Sequence, residues 1–266
     1  MTIGIIGYGS MGKMLLNKFS KGGIPRDELV VANRTPGKVK EAEEIATLAT
    51  NREAAAGSDI LFVCVRPTDL KLVLEEISDV LAPDSLLVSL NGSVSFDSIA
   101  RVIEHKTAKV IPSLTAEIGR SQTLVRYGPT VTDGDKEALT GLLSQIGDVI
   151  ELPEDEMGMG SELVSCMPGF IASIFDVIVN SAEPHTAIPE DQIVKMVLQT
   201  LSATSDLMLQ KGLSFEEVVN RVATPGGITE EGTRVVYEGL PDTADLLFER
   251  TLAKRRLTAK RVEESF

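Results

Sequence analysis

The first 150 residues alternate short runs of apolar, mostly β-branched residues with stretches whose apolar positions recur at helical spacing. The short runs predict strands at residues 3–6, 29–32, 60–65, 86–90, 109–111 and 123–127. The stretches between them predict helices at residues 11–21, 38–45, 70–80, 96–104 and 136–146. Strands that alternate with helices in this way predict an α/β fold, a Rossmann-type doubly wound parallel sheet with helices on both faces.

After Pro153 the strand-like runs stop and helical patterns continue to the end of the chain. Helices are predicted to include residues 163–178, 191–210, 215–222, 230–239 and 243–261. Ser214 and Glu217 have the spacing of a capping box before the third of them. The sequence therefore predicts two domains, an α/β domain at 1–152 and an all-helical domain at 153–266.

Composition narrows the function further. The chain has 266 residues, 43% of them hydrophobic, and a net charge of −13 that argues against binding to nucleic-acid phosphates. Two cysteines, Cys64 and Cys166, lie in apolar segments and predict free thiols in a reducing compartment. The chain opens directly into a strand, and its longest apolar run, 170–179, is too short to cross a bilayer. We expect a cytoplasmic protein with no membrane partner and, because no Cys, His and Asp residues have ligand spacing, no metal.

A G-x-G-x-x-G sequence joins the first predicted strand to the first predicted helix. Gly7 allows the tight turn, Gly9 allows a pyrophosphate to approach the backbone, and Gly12 allows the helix to pack closely on the strand. The helix begins with Ser10 and Met11, where free amides and the positive end of the helix dipole attract phosphate. A dinucleotide is therefore predicted here; the alternative is a glycine turn in an α/β domain that has no ligand.

The second predicted strand ends in Asn33, Arg34 and Thr35, with no carboxylate. An NAD site usually has Asp or Glu near this point to hold the ribose 2′-hydroxyl. Arg34 would instead attract a 2′-phosphate, and Asn33 and Thr35 can donate hydrogen bonds to it. The segment predicts NADP(H) as the cofactor, although Arg34 has an alternative interpretation as an exposed loop arginine.

Pro168 lies inside the long predicted helix and removes one amide donor from it. The carbonyl of Val164 should lose its partner, and the backbone of residues 165–167 should open. Such an opening either faces a ligand or is only a kink.

Further along the chain, Gly226 and Gly227 precede a predicted helix and allow a tight loop whose amides converge. The amides of Gly227, Ile228 and Thr229 are predicted to bind a carboxylate. Thr229 is also predicted to be the N-cap residue of the helix.

Several of these segments resemble Δ1-pyrroline-5-carboxylate reductases in order and spacing, over nearly the whole chain. They are Met11-Gly12, Asn33-Arg34, Cys64-Val65-Arg66-Pro67, Ile111-Pro112-Ser113 and Pro225-Gly226-Gly227-x-Thr229. The resemblance implies an NADP-binding Rossmann domain, a helical domain that forms a homodimer, and reduction of a cyclic imine acid to proline. It also implies that Val65, Arg66, Pro67, Asn91 and Ser113 contact the cofactor. Substrate contacts implied in the same way are Cys166, Met167, Gly226, Gly227, Ile228 and Thr229, with the Thr229 hydroxyl near the imine nitrogen.

The chain departs from the reductase pattern at the substrate end. Residues 111–113 replace Met-Pro-Asn, and residues 164–168 replace a Ser-Gly-Ser-Gly-Pro segment with bulkier groups. Glu117 and Glu162 stand where apolar or small neutral residues are usual. These variants are similar to the reductase-like late-competence proteins of Gram-positive bacteria, a branch for which the resemblance supplies no substrate.

The leading functional hypothesis is hydride transfer from NADPH to a small cyclic imine, with pyrroline-5-carboxylate as the first candidate substrate. An iminium is already electrophilic, so alignment of donor and acceptor is sufficient and no strong acid is needed. The alternative is a non-catalytic, NADP-sensing regulatory protein, which the altered residues 164–168 favour and the retained Thr229 opposes. A β-hydroxyacid dehydrogenase is disfavoured because residues 161–185 contain no lysine.

Overall fold

A computed structural model describes residues 1–266 as two compact units. The first, here the sheet unit, consists of Met1–Pro168 and Thr251–Phe266; the second, here the helical unit, consists of Gly169–Arg250. Residue 154 belongs to the sheet unit because the buried Lys109 Nζ lies 2.7 Å from Glu154 Oε1. The first compact unit therefore extends to Pro168 before the chain enters the helical unit. The domain boundary after residue 152 stays a prediction.

The sheet unit contains one eight-stranded sheet in the order β3-β2-β1-β4-β5-β6-β7-β8. The strands are β1 Ile3–Ile6, β2 Leu29–Ala32, β3 Thr47–Ala49, β4 Ile60–Val63, β5 Leu86–Ser89, β6 Thr107–Ile111, β7 Ser121–Tyr127 and β8 Gly147–Glu151. The doubly wound α/β fold is confirmed, and all six predicted strands are present. The prediction of a parallel sheet is wrong for one pair, since β6 and β7 are antiparallel. The link between them is too short for the crossover helix that parallel strands need.

The sheet unit also contains the helices α1 Ser10–Lys21, α2 Asn51–Gly57, α3 Pro67–Ile77, α4 Phe96–Ala100, α5 Asp133–Leu143 and α6 Met157–Ser161. The predicted helix at 38–45 is wrong, because the chain there makes two 3-10 turns, Pro36–Lys38 and Lys40–Ala42. Val39 and Ala42 are the buried apolar residues of this segment, and the two short turns bury them without a continuous helix. Strands β3 and β8 and helices α2 and α6 are additional to the prediction.

Both faces of the sheet are covered by apolar side chains. Phe62 and its neighbours on one face pack with Phe19 of α1, with ring centroids 5.5 Å apart. Leu61 and Val63 point to the other face and pack with Leu70 of α3. This double burial is why most of the strands lack polar alternation in the sequence.

The remaining helices are α7 Met167–Ala182, α8 Glu190–Lys211, α9 Phe215–Val222, α10 Ile228–Gly239 and α11 Pro241–Glu263. The prediction that strands stop after Pro153 is confirmed. The bounds of α9 coincide with the prediction, and the Ser214 side chain accepts the Glu217 N–H in a capping box.

One helical stretch, Glu154–His185, is long and apolar enough to cross a membrane when judged by length and composition alone. Only 11% of the most apolar 18-residue stretch of this helix is buried inside the chain. Val177 and Ile178 are 63% and 46% exposed. The apolar run is therefore longer than the 170–179 segment identified from the sequence, and its exposed face requires an explanation.

Candidate cofactor and substrate site

The glycines of the first turn hold the backbone of β1 close to its neighbours. Gly7 has φ +100°, and a Cβ there would lie 2.7 Å from the Cys64 carbonyl oxygen. A Cβ on Gly12 would lie 2.0 Å from the Gly7 carbonyl oxygen, so α1 starts directly against the turn. Gly9 differs, because a Cβ there would meet nothing within 4 Å. The turn thus leaves an open face at Gly9, as a dinucleotide pyrophosphate requires.

The N-terminus of α1 is available to an anion. Its N-cap residue is Gly9, no side chain caps it, and its first turn holds no acidic residue. By contrast, α2, α5 and α9 each begin with a capping box, made by Thr50, Thr132 and Ser214. The free amides of α1 and its helix dipole therefore suit a phosphate group.

A groove of about 860 Å³ runs along the carboxyl ends of β1, β2 and β4. It brings together seven of the predicted cofactor residues, namely Gly7, Gly9, Asn33, Arg34, Thr35, Val65 and Arg66. Sequence reasoning missed other lining residues, which include Tyr8, Lys38, Thr50, Asn51, Glu53, Asp69 and Glu76. The Thr50-x-x-Glu53 spacing is a capping-box pattern and could have predicted the start of α2, which lies at the groove.

The loop after β2 is tied to the glycine turn by Asn33. The Tyr8 N–H donates to Asn33 Oδ1 at 3.1 Å, and Asn33 Nδ2 donates to the Thr35 carbonyl at 3.1 Å. The Asn33 amide thus holds the loop in place, and the Arg34 side chain stays 78% exposed in the groove.

Two arginines of the groove lie near one carboxylate. Arg34 and Arg66 each lie 3.9 Å from an oxygen of Asp69, and both guanidinium groups are mostly exposed. Exposed pairs at this distance contribute little to stability. Both cations are therefore available to a phosphate group in the groove.

The other predicted cofactor residues lie outside this groove. Ser10, Met11 and Ser113 line a small second cavity. Ser113 is buried, and its N–H donates to Ser121 Oγ at 3.0 Å. Pro67 is the first residue of α3. Asn91 is 5% exposed, and its Nδ2 has no hydrogen-bond partner in the chain. An unpartnered buried amide is costly, so Asn91 is the residue of this group that most needs a ligand.

The break that Pro168 predicts is present. Residues Glu162–Cys166 form a π-helical turn between α6 and α7, directly before the proline. Pro168 cannot donate to the Val164 carbonyl, and a π turn accommodates the displaced backbone. Cys166 and Met167, the predicted substrate contacts, are half-buried at the end of this turn.

A buried ion pair supports the π turn. Glu162 is 1% exposed, and its Oε1 accepts from Arg255 Nε at 3.0 Å and Nη2 at 2.8 Å. Arg255 Nη2 also donates to Ser161 Oγ at 2.9 Å and lies 3.8 Å from Cys166 Sγ. Burial, followed by the charge of Glu162, raises the pKa of the Cys166 thiol. Cys166 is therefore a neutral thiol at physiological pH.

In the helical unit, the Pro-Gly-Gly loop leads into α10. Gly227 is the N-cap residue and α10 begins at Ile228, so the prediction that Thr229 caps the helix is wrong. Gly226 has a positive φ of +73°, and the helix that follows it begins two residues earlier than predicted. The Gly227 N–H donates to the Thr224 carbonyl at 2.8 Å and is not free. The amides of Ile228 and Thr229 remain as the donors at this end of α10.

Similarity to known proteins covers the whole chain. Residues 2–92 match the family described as NADP oxidoreductase, coenzyme F420-dependent, and residues 154–257 match pyrroline-5-carboxylate reductase dimerisation. The protein named Pyrroline-5-carboxylate reductase 3 of Bacillus subtilis is 31% identical, over 98% of this chain and 97% of its own length. The chain belongs to the pyrroline-5-carboxylate reductase family. The resemblance noted in the sequence is thereby confirmed.

One further relative and one solved structure are also similar to this chain. ComE operon protein 4 of Bacillus subtilis is 24% identical over 100% of this chain and 99% of its own length. This match confirms the likeness to the late-competence branch. The crystal structure of the Plasmodium falciparum pyrroline carboxylate reductase with NADP bound superposes with a TM-score of 0.86 at 18% identity. It covers 99% of this chain and 98% of that one, and shows that the fold is shared.

The family match also explains the exposed apolar helix face. The dimerisation model spans residues 154–257, which include Val177 and Ile178. A reductase of this family forms a homo-oligomer and acts on a small molecule. Burial against another copy of the chain accounts for apolar side chains that would otherwise remain in water.

Proposed function

We propose that the protein is an NADPH-dependent reductase that converts pyrroline-5-carboxylate to proline in the cytoplasm, as a homodimer. The observation that carries this proposal is the open glycine turn and uncapped α1 in a chain 31% identical to a reductase. Relatives named as pyrroline-5-carboxylate reductases match nearly the whole chain, which favours the enzyme over a regulatory protein. The free thiols of Cys64 and Cys166 are consistent with a reducing compartment.

The residues present fit a dinucleotide phosphate. The open face at Gly9 and the first amides of α1, at Ser10 and Met11, would hold the pyrophosphate. Arg34 and Thr35 would hold the 2′-phosphate, since Arg34 is exposed in the groove and no carboxylate follows β2. The unpartnered Asn91 amide would donate to the cofactor or to an ordered water beside it.

The reaction needs little from the protein beyond binding and orientation. When bound, NADPH would supply a hydride to the carbon of the protonated imine, whose C=N π electrons would pass to the nitrogen, and the nitrogen would keep its proton. The amides of Ile228 and Thr229 would bind the substrate carboxylate, and the Thr229 hydroxyl would hydrogen-bond the imine nitrogen. Cys166 and Met167 would limit the size of the substrate pocket.

The test is NADPH oxidation by the purified protein with pyrroline-5-carboxylate, beside an NADH control. Arg34→Ser should raise the KM for NADPH by roughly 10- to 100-fold, because charge-assisted hydrogen bonds contribute about 1.5–3 kcal/mol. The KM for NADH should stay constant in this variant. Arg101→Ser is the matched control, since Arg101 is exposed and pairs with Glu263 away from the groove.

The Thr229 hydroxyl is tested separately. Thr229→Ala should lower kcat/KM for the imine, whereas Thr229→Ser should retain it. Tight binding of NADPH without turnover would refute the reductase and support the regulatory alternative, which the altered residues around Cys166 favour.

A further inference from the structure

The Pro-Gly-Gly loop already holds a carboxylate of its own. The Gly226 N–H donates to Glu230 Oε2 at 2.6 Å, so this side chain folds back from the first turn of α10 onto the loop. Glu230 therefore places a negative charge beside Ile228 and Thr229, whose amides are the donors left for a substrate carboxylate.

The neighbouring glutamate is placed differently. Glu231 is paired with the Arg234 guanidinium, which also donates to Glu238 at 3.2 Å. Glu230 forms no ion pair, and its exposed carboxylate accepts the Gly226 N–H. Of the two adjacent acidic residues, Glu230 alone has no cationic partner at the predicted substrate loop.

The Glu230 carboxylate interacts with the positive end of the α10 dipole, which is also the feature that would attract an anionic ligand. The positive end of a helix dipole favours one negative charge, and a second one nearby meets repulsion from the first. A substrate that carries a carboxylate must displace Glu230 or bind against its charge, whereas an imine without a carboxylate does neither.

We propose that Glu230 is a specificity-determining residue that weakens the binding of anionic imines relative to neutral ones. The inference rests on the proposed function only in taking this loop as the place where a substrate carboxylate binds. It assigns to this chain weaker binding of imine acids than the same loop would give without the Glu230 charge, with pyrroline-5-carboxylate still the proposed substrate.

The experiment compares Glu230→Gln with Glu231→Gln. Glutamine keeps an acceptor oxygen for the Gly226 N–H, so the loop should stay folded while the charge is lost. Each protein is assayed with pyrroline-5-carboxylate and with 1-pyrroline, the same ring without its carboxylate. Glu230→Gln should lower the KM for pyrroline-5-carboxylate about 2- to 5-fold, the range for an exposed charge at a helix N-terminus, with kcat constant. The KM for 1-pyrroline should not change, and Glu231→Gln should leave both KM values nearly constant.

A binding measurement makes the result independent of turnover. Calorimetric titration with L-proline, which carries the same carboxylate, should show tighter binding by Glu230→Gln than by the wild type or Glu231→Gln. No tightening, or equal tightening by both variants, would overturn the inference. If proline binding tightens as expected while neither imine is reduced, the proposed reductase fails and the role of Glu230 stands.

Discussion

Replacement of Arg255 by Met is expected to destabilise the sheet unit strongly. The Glu162 side chain is 2% exposed and its Oε1 receives both charge-assisted hydrogen bonds from Arg255. Its Oε2 has no hydrogen-bond partner, so no other donor already compensates the charge. A buried carboxylate that loses its cation costs about 3–5 kcal/mol. We therefore expect the free energy of unfolding to fall by about 3–5 kcal/mol.

The assay is urea unfolding followed by circular dichroism, at one fixed protein concentration because the protein is a homo-oligomer. Arg234→Met is the matched control; Arg234 is about half exposed, pairs with Glu231 and Glu238, and should contribute less than about 1 kcal/mol. The double variant Glu162→Leu/Arg255→Met removes the uncompensated charge and should recover much of the loss. If Arg255→Met and Arg234→Met have equal effects on the free energy of unfolding, the reasoning from burial is wrong.

Three further predictions concern the sheet unit. Gly12→Ala should lower the free energy of unfolding by about 1–3 kcal/mol, because its Cβ meets the Gly7 carbonyl at 2.0 Å. Gly9→Ala should leave the free energy of unfolding unchanged and weaken NADPH binding about tenfold or more, as titration with the cofactor would show. Cys64 is half-buried at the wall of the groove, and desolvation raises the pKa of its thiol to about 12, so only about 10⁻⁴ of it is thiolate at pH 8. Its alkylation in the native protein should be roughly a thousandfold slower than in urea, and equal rates would contradict the raised pKa.

Hydrophobic patterning predicted the strands well where both faces of the sheet are buried. β1, β2 and β4 are continuous apolar runs, and their positions agree with the sequence expectation to within two residues. β3 is only three residues long at the edge of the sheet, and β8 at the other edge has Asp148 and Glu151 in it. Edge strands carry less apolar signal because one side has no neighbouring strand and their faces are partly wet.

Features of the site that depend on backbone geometry could be predicted from the sequence. Features that depend on contacts between side chains far apart in the chain could not. The glycine turn follows from residue type alone, since Gly7 and Gly12 admit no Cβ. Side-chain partners far apart in the chain, such as Glu162 and Arg255, leave no local pattern in the sequence. The early start of α10 also escaped prediction, because either Gly227 or Thr229 makes an acceptable N-cap residue.

One acidic departure from the reductase pattern, Glu162, bears on whether this chain kept an ordered substrate segment. A carboxylate placed in the core without a partner would destabilise the fold by several kcal/mol. Instead Glu162 is paired with Arg255. The π turn Glu162–Cys166 is therefore ordered around a compensated charge. An ordered replacement at this segment, together with an intact glycine turn, favours a reductase over a regulatory protein that has only lost its pocket.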